Sequence, residues 1–251
     1  MISNAQIKLV KALQIKKYRN THQMFPVEGA KNIQEILKSD YKIAEAYLTE
    51  SFAGKASPQL DNKGIKYEIV TEKDLERMGS FQSNNAGLLL VEMKANELLL
   101  NENELVLVLD DLRDPGNLGT LIRICDWYGI RKILCSENTA EMYNPKVIAA
   151  SMGSFSRVKI YYCDLMEYFK KYKKDLPVYG AFLEGDSLYE THFDTAAFIV
   201  LGNESHGISS ELVKLVSKKI TIPSYGKAES LNAAIAGAII IDNVKRLLSG
   251  K

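Results

Sequence analysis

Residues 105–130 read "LVLVLDDLRDPGNLGTLIRICDWYGI". Five apolar residues in succession end at Leu109, a polar turn with Gly116 and Gly119 follows, and an amphipathic helix is expected from near Asn117. A continuous apolar run reads as a strand buried on both faces, which is the habit of a parallel sheet covered by helices. The same unit recurs downstream. "KILCS", "VKIYY", "VYGAFL", "AAFIVLG" and "KITIP" are apolar strand candidates, with helical patterns between most of them. The chain from 104 to 251 is therefore expected to form an α/β domain with a parallel sheet.

Upstream, shorter elements alternate. "AQIKLVKAL", "AKNIQEILKSD" and "EKDLERMG" have helical spacing, while "MFPVEG", "IAEAYLT", "KYEIV" and "GLLLVEM" read as strands. "KANELLLNENE" looks like a charged linker. The expected division is a small α/β domain at 1–95, a linker at 96–103 and the larger domain beyond it, reasonable for 251 residues.

Composition narrows the function classes. Apolar residues at 46% and charged residues at 25% are globular values, and a net charge of +1 announces no nucleic-acid binder, so any basic surface must be local. Three cysteines and three histidines show no zinc spacing, which favours buried free thiols and no metal. The first 20 residues hold no signal-peptide core and no run suits a membrane span, so a cytoplasmic location is expected. Lys8, Lys11, Lys16, Lys17 and Arg19 precede the first acidic residue, Glu28. That run is a solvated helix face or a patch that contacts nucleic-acid phosphates, with Lys16, Lys17 and Arg19 as the candidate contacts.

Three polar loops follow apolar strands: the one after Leu109, "FIVLGNESHGISSELV" at 198–213, and "IPSYGKAESLNAAIAGAII" at 222–240. Ligands of open parallel sheets bind beyond the strands' carboxyl ends, so the three loops are expected to gather there. Ser230 is a candidate N-cap for the last helix, whose small body (Ala233, Ala234, Ala236, Gly237, Ala238) suggests a close neighbour. Ser209 or Ser210 caps the preceding helix. Arg123, six residues after Asn117, is expected on a similar face. Neither GxGxxG nor a P-loop occurs, which argues against a nucleotide-binding oxidoreductase or synthetase. His206, in the second loop, has no sequence neighbour suited to act with it.

Taken in order, "DPGNLGTLIRIC", "IVLGNESHGIS" and "IPSYGKAESLNAAIAGAII" resemble the three motifs of the SpoU/TrmH family of RNA 2′-O-ribose methyltransferases, in the SPOUT superfamily. "YNPKVIAASMGS" is similar to a family stretch, and "KYRNTHQMFPVEGAKNIQEIL" resembles the opening of a substrate-binding domain like ribosomal protein L30e. Two departures are Ser205, where the family often has Gly, and Ala234, where it often has Ser. The resemblance implies a deep trefoil knot in the catalytic domain, a homodimer, and S-adenosylmethionine as cofactor. It implies that Leu201, Gly202, Ile222 and Leu231 line the cofactor pocket. It also implies that Asn117, Arg123, Glu204, Ser230 and Asn232 form the polar active-site set. The substrate would be ribosomal RNA before transfer RNA. A non-catalytic RNA-binding protein on the same fold is the alternative.

Overall fold

The computed structural model describes residues 2–100 and 103–250. They divide into two compact units, one of residues up to 95 together with 142–156, the other of 96–141 together with 157 onward.

In the first unit the elements are α1 (Asn4–Ala12), α2 (Lys16–His22), β1 (Met24–Glu28), α3 (Ala30–Lys38), β2 (Ile43–Leu48), α4 (Glu50–Asn62), β3 (Glu68–Ile69), α5 (Glu72–Met78) and β4 (Gly87–Glu92). The sheet order is β1-β4-β2-β3, with β4 antiparallel to both its neighbours and β3 parallel to β2. The run "GLLLV" is buried throughout because β4 is central and covered on both faces. Ile7, Val10, Leu13, Leu75 and Met78 pack with Leu88 and Leu90. Elsewhere in the unit, Phe25 stacks with Tyr41, Tyr143 and Phe155, at ring separations of 5.9, 4.5 and 6.0 Å. Tyr143 and Phe155 flank α7 (Pro145–Ser151), so this piece of "YNPKVIAASMGS" belongs by packing to the first unit.

Arg19 does not project into solvent as a phosphate contact must. It is 1% exposed, and its Nη1 donates to the carbonyls of Leu13 and Gln14 at 2.9 Å each. The guanidinium thus closes the turn between α1 and α2, while Lys16 and Lys17 are exposed.

The second unit contains β5 (Leu105–Leu109), α6 (Pro115–Trp127), β6 (Lys132–Ser136), β7 (Lys159–Cys163), α8 (Leu165–Tyr172), β8 (Val178–Ser187), β9 (Ala197–Leu201), α9 (Ser210–Val213), β10 (Lys218–Thr221) and α10 (Ala233–Ser249). All six expected strands are present, in one sheet ordered β10-β8-β9-β5-β6-β7 with every pair parallel. Val106, Val108, Phe198 and Val200 form one face of its core with Tyr168, Phe169 and Leu212. The stretch read as a linker is part of this unit as far as it is described; Asn101 and Glu102 lie outside the described residues. Leu99 is buried in that core and accepts a hydrogen bond from Tyr168 at 2.6 Å, and Asn96 pairs with both backbone groups of Tyr162. Leu99 is the one of its three leucines that is buried, and with Asn96 it ties the stretch to this unit.

The order of strands fixes where a site can form. From β5 the chain runs outward through β6 and β7, then returns on the other side through β8 and β9. The direction reverses between β5 and β9, and the crevice beyond the carboxyl ends at such a reversal is where open α/β sheets take ligands.

Arg19 carries a stability prediction. Arg19→Met should lower the unfolding free energy by about 1–3 kcal/mol, because the buried Leu13 carbonyl and the partly buried Gln14 carbonyl lose their donor. Lys16→Ala and Lys17→Ala should stay within about 0.5 kcal/mol. Urea denaturation of the three variants checks this, and a neutral Arg19→Met would overturn the buried role.

Candidate functional site

The loops after β5 and β9 are tied together at the reversal. Asp110, 7% exposed, donates its backbone N–H to Leu201 and accepts from the Ser209 N–H at 2.7 Å. Asn203 Nδ2 donates to the Asp111 carbonyl at 2.8 Å, while its Oδ1 accepts from the N–H groups of Ser205 and His206. Asn203 and Gly207 exchange backbone bonds at 2.9 Å, closing a tight loop around Glu204. A Cβ on Gly202 would lie 2.1 Å from the Gly207 carbonyl carbon, so no side chain fits there. Gly207 itself has φ +69°, a left-handed conformation that glycine adopts freely.

The helix after the first loop starts earlier than the glycine spacing suggests. Pro115 is its first residue and Asp114 its N-cap, accepting from the Asn117 N–H at 2.7 Å. Proline at the first position has no N–H to satisfy, and the Asp carboxylate also complements the helix dipole. Asn117 is buried, whereas Arg123 is exposed with no hydrogen-bond or ion-pair partner among the described residues. The two do not share a face: six residues advance a helix by about 600°, about 120° short of two turns. Arg123 instead falls in line with Gly116, Thr120 and Trp127, none of them buried.

The third loop also departs from the sequence expectation. The N-cap of α10 is Asn232, not Ser230; Asn232 Oδ1 accepts from the N–H groups of Ala234 and Ile235 at 2.9 and 3.3 Å. Asn and Ser cap equally well, so composition cannot choose between them. Position can: Leu231 is 47% exposed, and the buried face of α10 begins at Ala234. Ser209 is the N-cap of α9, as expected. The question posed by the small residues has a direct answer at Gly237. A Cβ there would lie 2.5 Å from Leu121 on α6 and 2.9 Å from Leu201 on β9.

These positions produce one connected network. Asn232 Nδ2 donates to Asn117 Oδ1 at 2.9 Å, and Asn117 Nδ2 donates to Glu204 Oε1 at 2.8 Å. Three of the five expected active-site residues, one from each loop, are thereby joined across 115 and 87 residues of chain. Arg123 and Ser230 are exposed and stand outside this network. Asp110, Asp111, Asn203 and Asp114 support it without having been singled out in the sequence. Their common signal is an Asp or Asn within a few residues of a strand's carboxyl end or at a helix start.

The four residues expected to line the cofactor pocket differ in exposure. Leu201 is buried, Gly202 and Ile222 are half-buried, and Leu231 is exposed. Among the described residues, none hydrogen-bonds to any group of residues 222–231. These ten residues thus leave backbone donors and acceptors available beside apolar Ile222 and Leu231. No group of three or more His, Cys, Asp or Glu side chains among the described residues could hold a metal ion. Burial pushes the thiols of Cys125 and Cys135 upward and that of Cys163 to about 12, so all three stay protonated near neutrality.

Known proteins bear on this geometry. The model of the SpoU rRNA Methylase family matches residues 104–242, and that of the MRM3-like substrate binding domain matches 4–89. The 23S rRNA (guanosine(2553)-2′-O)-methyltransferase RlmP of Bacillus subtilis is 28% identical over 244 residues, covering 96% of each chain. A solved TrmH-family structure from Porphyromonas gingivalis is 35% identical, covers 98% of this chain and 99% of its own, and superposes with a TM-score of 0.85. The AdoMet-bound rRNA methyltransferase of Sinorhizobium meliloti is 26% identical over 99% of this chain and 97% of its own, with a TM-score of 0.87. The network of Asn117, Glu204 and Asn232 therefore lies in a catalytic-type domain whose family is established: this chain belongs to the SpoU rRNA methylase family.

Proposed function

We propose that the protein is an S-adenosylmethionine-dependent RNA methyltransferase acting on a ribose 2′-hydroxyl, with ribosomal RNA its substrate ahead of transfer RNA. The observation that carries the reading is the union of three loops by Asn117, Glu204 and Asn232 at the β5/β9 reversal, within the region matching the family. Leu201, Gly202, Ile222 and Leu231 would hold the cofactor, whose sulfonium supplies an activated methyl group when bound. The protein's own task is alignment and electrostatics. Asn232 and Asn117 direct their donors along one line that ends on Glu204, so the carboxylate is fixed in orientation. Arg123, exposed and unpaired among the described residues, is available to fork onto an RNA phosphate and to stabilise charge developing on the ribose oxygen. A protein that had lost catalysis would have no need to retain this satisfied polar network, which disfavours the non-catalytic reading.

Several finer features belong to the same proposal. The first unit, resembling L30e, captures RNA, with Lys16 and Lys17 as contacts; the match of 4–89 to a substrate-binding model supports this. The chain forms a trefoil knot, a reading supported by the path from edge strand β10 back to Asn117 and by the tight seat of Gly237. It acts as a homodimer through α6 and α10, where Trp127 is 84% and Ile235 52% exposed. Among the described residues no helix is long and apolar enough to cross a membrane, in keeping with a cytoplasmic role.

Two experiments test the catalytic reading. Asp caps a helix as well as Asn but offers no donor to Asn117. Asn232→Asp should keep the helix cap, lower stability by about 1–3 kcal/mol because buried Asn117 loses its donor, and slow methyl transfer on the order of 10- to 100-fold; full activity would reduce Asn232 to a cap. Arg123→Ala and Arg123→Lys should both bind S-adenosylmethionine within a few fold of the native chain by calorimetry in chelator. Both should lose single-turnover methyl transfer by on the order of 100-fold with saturating RNA. A normal rate in Arg123→Ala would remove Arg123 from the active site.

A further inference from the structure

The loop between β10 and Asn232 exposes a large aromatic side chain, Tyr225. Tyr225 is 93% exposed, the most exposed of the large apolar side chains among the described residues. Its ring stacks on no other aromatic there, and its hydroxyl makes no hydrogen bond. Lys227, two residues on, is exposed and has no ion pair among the described residues. Both sit between two fixed points: Thr221, paired with Ser187 in the sheet, and Asn232, bonded to Asn117. The aromatic ring is thus tethered within seven residues of the polar network, on a segment that makes no hydrogen bond among the described residues.

We propose that Tyr225 is a stacking platform for an RNA base beside the ribose that is methylated, with Lys227 on a flanking phosphate. The inference rests on the methyltransferase reading. A tyrosine face accepts any base, and stacking on such a platform is worth roughly 1–3 kcal/mol, or about 5- to 150-fold in affinity. An exposed aromatic next to an unpaired lysine is the combination that single-stranded RNA recognition uses: π-face for the base, point charge for the backbone. The ring is almost fully exposed, whereas Leu201 is buried and Gly202 half-buried, so the platform is offered to the RNA.

The test places a reporter at the platform. Tyr225→Trp is made in a Trp127→Phe background, which removes the chain's only tryptophan. Its fluorescence should be quenched by an unmethylated transcript of large-subunit ribosomal RNA and left unchanged by S-adenosylmethionine alone. In the otherwise native chain, Tyr225→Ala should weaken RNA binding roughly 5- to 150-fold while Tyr225→Phe stays within a few fold and both keep cofactor affinity. Quenching by S-adenosylmethionine alone, or a parallel loss of cofactor affinity in Tyr225→Ala, would assign the ring to the cofactor and overturn the proposal. Unchanged RNA affinity in Tyr225→Ala would do the same. Methyl transfer by the native chain is measured alongside: its absence overturns the methyltransferase reading, whereas its presence with an indifferent Tyr225 overturns only the platform.

Discussion

The amide of Asn117 is the point on which the site depends. It accepts from Asn232 and donates to Glu204, so a single planar group fixes the loops after β5, β9 and β10 relative to one another. An amide is suited to this because it offers a donor and an acceptor on opposite sides; a carboxylate or an ammonium offers only one kind. Asn117 is also buried, which makes each bond more costly to leave unmade. The line of donors starts at the first N–H groups of α10 and ends on a carboxylate, so the helix dipole and the side-chain dipoles point the same way.

That amide can meet its partners only because the backbone comes close elsewhere. Gly237 lets α10 settle against Leu121 and Leu201, and the bare Cα of Gly202 lets the second loop fold onto Gly207. A methyl group on Gly202 would meet the Gly207 backbone and displace the loop carrying Glu204, whereas one on Gly237 would press the Leu121 and Leu201 methyl groups aside. Asp110 and Asn203 then hold the second loop from both ends, through Ser209 and Asp111. Packing and polar contacts are thus two parts of one arrangement: the glycines set the distances and the amides use them.

The sequence discloses this site unevenly, for physical reasons. Strands buried on both faces announce themselves as apolar runs, so β4, β5 and β9 are plain, and with them the parallel sheet and its polar loops. Helix α4 is hidden because Gly54 and Pro58 interrupt its pattern, although Thr49 caps it and Leu60 is fully buried. Arg19 belongs to a charge run in composition but to the core in space; nothing in its neighbours in sequence reveals the carbonyls of Leu13 and Gln14 waiting for it. Leu99, alone of the three leucines at 98–100, enters the core and makes an apparent linker part of the second unit. Ser230 and Asn232 are equal as caps until the buried face of α10 selects one. The facing of Arg123 is a matter of helical angle, which places it with Trp127 and away from Asn117.

The central claim is that Asn117 and Asn232 act as one unit on Glu204. A double-mutant cycle on single-turnover methyl transfer, with Asn117→Ala, Asn232→Asp and the pair, measures this directly. Strong coupling is expected, with the double variant no slower than the worse single variant within about threefold. Additive losses, each variant multiplying the effect of the other, would show that the two residues serve the reaction separately and would contradict it.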